Sequence, residues 1–155
     1  MKKSVFAITA LAISIASVQA QTMRPVMDLA TAETIRDGCL DHARKNGEEI
    51  AVAIFDHAGR LVTYAKMDGA STAAAEVAKW KGKSAATYEF ASSETANWNG
   101  PAAPDMATFG GGLPLFTSDG VGIGGVGVSG AVTEFDIACG NAGAMLADLS
   151  TDRPE

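Results

Sequence analysis

An antiparallel α+β fold, with helices packed on one sheet, is what this sequence predicts, and three observations predict it. The patterns run helix, hairpin, helix, loop, hairpin, helix, without the strand–helix–strand alternation that builds a parallel sheet. The stretch Val121 to Ser129 interleaves Gly122, Gly124, Gly125 and Gly127 with Val and Ile and carries no charge, as a strand buried on both faces does. Two apolar pairs of runs meet at glycine turns, Asp56-His57-Ala58-Gly59-Arg60 and Ser118-Asp119-Gly120.

Taken in order, the chain begins with Lys2-Lys3, an apolar run from Val5 to Ala16, and Val18-Gln19-Ala20. These are the charged, hydrophobic and small-residue parts of a secretory signal, with cleavage expected after Ala20. The run is too short to span a bilayer, so residues 21–155 are expected as a single exported domain, periplasmic or secreted. Removing Lys2 and Lys3 leaves 10 basic residues against 18 acidic ones, a formal charge of −8 that disfavours nucleic acid and anionic membrane as partners. Two cysteines, Cys39 and Cys139, lie in a chain whose oxidising compartment permits a disulfide.

Asp28 to Asn46 reads as the first helix, with Ile35, Cys39, Leu40 and Ala43 on its apolar stripe and Asn46-Gly47 at its end. His42, three residues after Cys39, reads as a half-buried helix histidine. Ile50 to Phe55 and Leu61 to Met67 form the first hairpin, whose exposed tip carries His57 and Arg60. Ser71 or Thr72 caps an alanine-rich helix from Ala73 to Tyr88, with Val77, Trp80 and Ser84 as packing candidates and Lys79, Lys81 and Lys83 in a solvated cluster.

From Glu89 to Gly111 the pattern dissolves into a loop long enough to be functional. Gly112 to Phe116 resumes a strand, placed at a sheet edge by Pro114. The glycine-rich strand follows. Gly122, Gly124 and Gly127 there satisfy the spacing of a dinucleotide-binding fingerprint, but only 28 residues follow Gly127, too few for the helix and second parallel strand that motif requires. In the final helix Thr133 is expected to cap, with Asp136 completing a capping box and Ile137, Asn141, Met145 and Leu149 along one side. The tail from Ser150 is expected to fray. With only two histidines and no Cys-x-x-Cys, a closed zinc site is not expected.

Five stretches in register, Phe55-Asp56-His57-Ala58-Gly59-Arg60-Leu61, Lys66-Met67-Asp68-Gly69-Ala70, Lys81-Gly82-Lys83-Ser84-Ala85, Gly111-Gly112-Leu113-Pro114-Leu115 and Gly127-Val128-Ser129-Gly130, resemble the GlcG/HbpS family of heme-binding proteins. The resemblance runs from Leu29 to Leu149. It implies a profilin-like sandwich, an antiparallel sheet flanked by helices on both faces with the terminal helices together on one of them, and a homo-oligomer. With those two helices side by side, Cys39 and Cys139 are expected to pair. The sequence departs from the family pattern at Ala74, Gly82 and Ser84, and His57 stands where the family has a small residue.

Two site readings follow. In the first, heme is the cofactor: His57 is the iron ligand, Arg60 meets a propionate, and Met67 or a neighbouring subunit supplies the second axial group. In the second, an organic anion is bound or turned over in a pocket of Met67, Asp68, Lys81, Gly112, Pro114 and Ser129, with Lys81 on the anion and Asp68 or Asp136 as base. A purely structural subunit of a larger assembly is the third reading. No catalytic residue is assigned.

Overall fold

A computed structural model describes residues 23–98, 100 and 103–155. The expected signal segment, residues 1–20, lies outside them. The elements are α1 (Leu29–Asn46), β1 (Ala51–Asp56), β2 (Leu61–Lys66), α2 (Thr72–Tyr88), α3 (Ser92–Thr95), β3 (Gly112–Phe116), β4 (Gly122–Ser129) and α4 (Thr133–Leu146). The four strands form one antiparallel sheet in the order β2-β1-β4-β3. The predicted α+β sandwich is therefore the observed fold, with α1 and α4 together on one face and α2 on the other.

The alternation of β1 divides the core between these faces. Ile50, Val52 and Ile54 join Ile35, Leu113, Leu115, Val126 and Val128 under α1 and α4, while Ala51, Ala53 and Phe55 pack with alanines of α2. Each fully buried Ile or Val contributes roughly 1.5–3 kcal/mol. On the α2 face the side chains are small because the helix backbone itself lies on β4. A Cβ added to Gly125 would sit 2.5 Å from the Ala86 nitrogen, and one on Gly82 would sit 2.8 Å from the Gly127 nitrogen. Val77 and Trp80 therefore stay half-exposed; the residues that pack are Ala74, Ala78, Gly82 and Ala85, together with Ser84.

Local signals set the element ends. Asp28 is the cap of α1 rather than its first residue, accepting from the Thr31 amide at 2.8 Å. Gly47 ends the helix at φ 72°, with its amide and that of Glu48 returning to Arg44 and Ala43. Ser71 caps α2. Inside the predicted loop, Ser92–Thr95 forms a short helix fixed by Ser92, whose hydroxyl accepts the Gly112 amide.

Three expectations are corrected. Val132, not Thr133, occupies the cap position of α4, without a side-chain cap bond. The inward stripe of α4 is Asp136, Cys139, Gly140, Gly143 and Ala144, so Met145 and Leu146 face outward at 74% and 66% exposure. The tail is anchored, because Ser150 and Phe116 exchange backbone hydrogen bonds and the Arg153 guanidinium stacks 4.5 Å from the Phe116 ring while pairing with Glu89. A Cys39–Cys139 disulfide, with Cα atoms 4.6 Å apart, joins α1 to α4.

Candidate functional site

The hairpin tip is a rigid turn. The Asp56 carboxylate accepts the Ala58 and Arg60 amides, each at 2.9 Å, and Gly59 takes φ 68° beside Lys83 and Thr87 of α2. His57 and Arg60 project from it into solvent, so an imidazole and a guanidinium stand together on one turn. Met67, Asp68 and Ser129 lie at the opposite end of the sheet. There Ala51 opposes both Lys66 and Ser129, and the Met67 amide donates to the Ile50 carbonyl. The length of β1 between the two ends is about 20 Å at ~3.3 Å per residue. His57 and Met67 of one chain therefore cannot hold the same iron.

The second predicted set is brought together only in part. Lys81 is buried, 3% exposed, and its ammonium donates to Asp136 Oδ2 and to the Val128 carbonyl, both at 2.9 Å. Asp136, 2% exposed, also accepts the Ala131 amide through Oδ1 at 3.3 Å. Burial pushes the Asp136 carboxyl above its ordinary pKa, opposed by the Lys81 hydrogen bond and charge and by the Ala131 amide. Gly111, at φ 106°, makes room for the pair, since a Cβ there would lie 2.9 Å from Lys81 Nζ. Gly112 rests on the Lys81 carbonyl, and Ser129 directly follows Val128. Lys81, Gly112 and Ser129 thus surround one buried junction linking α2, β4 and α4.

This junction is not an open anion receptor. The solvated Lys81 expected from sequence is sealed by a carboxylate, and Asp136 is its counter-ion rather than part of a capping box. Asp68 stands apart, exposed beside a cleft of about 360 Å³ that includes Arg44, Glu49, Lys66 and Met67. Pro114 borders a different cleft, of about 370 Å³, with Glu89, Phe90 and Arg153.

Sequence reasoning also missed a third feature. On the outer face of the α1–α4 pair, His42, Lys45, Met145 and Leu146 line a cleft of about 440 Å³ floored by Gly38 and Ala142. The signal was present as the spacing of Gly38, His42 and Lys45, one stripe on the outer side of α1. Among the described residues, no group of three or more His, Cys, Asp or Glu side chains is placed to hold a metal ion. No helix among them is long and apolar enough to cross a membrane.

Comparison with known proteins places these features in context. The sequence model of the family described as "Haem degrading protein HbpS-like" matches residues 27–145. Among solved structures, HbpS is similar at 27% identity and a TM-score of 0.75, covering 84% of this chain and 96% of that one. A double mutant of Streptomyces reticuli HbpS matches at 26% identity and a TM-score of 0.75, over 89% of this chain and 98% of that one. The PduOC:heme complex is similar in fold at 23% identity and a TM-score of 0.76, over 83% of this chain and all of that one. A search of curated proteins finds no match.

Proposed function

Because the chain belongs to the HbpS-like family, we propose that it is an exported heme-binding protein, acting as a carrier, scavenger or redox accessory. The family match over residues 27–145 is the observation that carries this reading, and the fold it shares with a heme complex supports it. Export rests on the signal pattern of residues 1–20, where a basic start, an apolar run and small residues precede Gln21.

The donor chemistry of the chain fits heme. Iron takes histidine or methionine as axial ligands and the propionates require cations. At the hairpin tip His57 would ligate the iron and Arg60 would hold a propionate, with a neighbouring subunit covering the other face of the ring. A homo-oligomer is part of this proposal, since an exposed loop on one chain offers little apolar surface to a macrocycle.

Hemin titration of the exported, processed protein tests the reading. The expected result is saturable binding with a displaced, sharpened Soret band and an N-terminus at Gln21. A Soret band no different from hemin in buffer, up to a large excess of protein, would overturn the heme reading; an unprocessed chain retained in the cytoplasm would overturn export.

A further inference from the structure

We infer that the cleft between the β3 border and the C-terminal tail is a recognition site for an arginine side chain, filled in cis by Arg153 and taken over by an arginine from another molecule when the tail lifts. The site is independent of the heme reading and lies on the border of the sheet away from β2.

The Arg153 guanidinium is read on three sides by groups that belong to the body of the fold. Its Nη2 donates to the Glu89 carboxylate, its Nη1 donates to the Gly120 carbonyl at 3.1 Å, and its central carbon lies 4.5 Å over the Phe116 ring centroid. A carboxylate, a carbonyl and an aromatic face placed around one planar group suit a guanidinium; a lysine ammonium has neither the plane nor the fork of donors.

The acceptor is built into the fold rather than lent by the tail. Glu89 closes α2 in the left-handed region at φ 57°, a conformation that costs a residue carrying a Cβ, and its amide returns to the Ala85 carbonyl. That turn brings its side chain over β4 at Gly122, where an added Cβ would lie 2.8 Å from Glu89 Cδ. Arg24, the other arginine nearby, donates to the Gly122 carbonyl at 2.9 Å and leaves Glu89 to the tail.

Room remains beside the occupant. A cleft of about 370 Å³ lies open between Arg153 and a wall of Phe90, Ala91 and Pro114, a volume in the range of ligand sites. Glu89, Glu94 and Asp152 line it against Arg153, so three carboxylates face one guanidinium and the local field favours a further cation.

The occupant is exchangeable because it is a chain end held by surface contacts. Ser150 and Phe116 exchange two backbone hydrogen bonds as an isolated bridge, and beyond them the Arg153 side chain is 53% exposed even while paired. Segments attached in this way open at low cost. Opening would bare the Phe116 ring, only 1% exposed with the tail in place, and an incoming arginine would cover it again.

Calorimetric titration of the full processed protein tests this, with acetyl-Ala-Arg-Ala-amide, its lysine counterpart and free L-arginine as probes. The proteins are wild type, Arg153→Lys, Arg153→Ala and the double variant Arg153→Ala/Glu89→Gln, each checked for native circular dichroism. The arginine peptide should bind Arg153→Ala about tenfold more tightly than wild type, the factor recovered when a seat open in about a tenth of the molecules becomes open in all of them. Arg153→Lys should fall between the two, and Glu89→Gln should abolish the gain. Equal binding by wild type and Arg153→Ala, or no binding by either, overturns the inference. So does a lysine peptide that binds as well as the arginine one, or a gain that survives Glu89→Gln. Free L-arginine binding as tightly as the peptide upholds the site and assigns it to the amino acid; binding by the peptide alone upholds it and assigns it to an arginine-bearing protein segment.

Discussion

Replacing Lys81 with methionine removes one partner of the buried ion pair and leaves Asp136, 2% exposed, with only the Ala131 amide at 3.3 Å. An uncompensated buried charge of this kind costs about 3–5 kcal/mol. The carboxyl can avoid much of that cost by taking up a proton, which leaves a lost hydrogen bond of about 1 kcal/mol. Which cost applies depends on pH. Burial already holds the Asp136 pKa above its ordinary value against the pull of Lys81, so deleting Lys81 raises it further. A carboxyl whose folded pKa exceeds its unfolded value, near 4, binds its proton more tightly in the native state. That stability is fully present below the unfolded pKa and is lost as pH rises through the folded one. Lys81→Met should therefore be mildly destabilised at pH 4 and severely at pH 8, with the deficits differing by at least about 2 kcal/mol. Urea midpoints followed by circular dichroism at the two pH values, each against wild type, measure the difference. The double variant Lys81→Met/Asp136→Leu should recover most of the loss at pH 8, since no charge is left to bury. A deficit independent of pH, or one below about 1 kcal/mol at pH 8, would refute the pairing as the energetic link between α2 and α4.

Four further outcomes are expected. Gly125→Ala, whose new methyl would press on the Ala86 nitrogen at 2.5 Å and the Gly82 carbonyl at 2.8 Å, should cost about 3 kcal/mol or more in urea denaturation. Gly47→Ala, with open space around it but φ 72°, should cost only about 1–2 kcal/mol in the same assay. Reducing the Cys39–Cys139 bridge, which spans a sequence separation of 100, should lower stability by roughly 4–5 kcal/mol, and alkylation of the denatured, unreduced protein should label neither cysteine. Light scattering of the processed protein at micromolar concentration should give a multiple of the chain mass; a monomer would remove the subunit-shared wall proposed for a His57-bound heme.

Much of the fold was legible because short-range signals coincide with its element ends. Gly47, the Asp56–Arg60 turn, Ser71 and Pro114 each act within a few residues, and the uncharged run through β4 announces a central strand. The face of α2 was misread because apolar size was taken as the packing signal. The strand beneath α2 is glycine, so the helix turns its smallest residues inward, and Ala78, Gly82 and Ala86 at a spacing of four were the matching clue. The second site reading put Lys81 and Asp136 in one pocket, but as anion receptor and base, and their direct pairing was not legible. Its partners lie 55 residues apart on helices covering opposite faces of the sheet, and either residue alone has an ordinary surface explanation. His57 and Met67 looked close because each borders the same hairpin, whereas the strands carry them to opposite ends.

The two edges of the sheet are unequal, and this constrains how copies can join. Along β3, a proline without an N–H and the returning tail at Ser150 occupy the border, whereas β2 runs along the other border as an outermost strand with Leu61 half in solvent. A strand that can accept a neighbour on one border only cannot propagate a continuous ribbon. Pairing through β2 about a two-fold axis would consume the available border on both copies at once and stop at two chains. The asymmetry therefore permits closed assembly while denying the head-to-tail stacking from which fibrils grow.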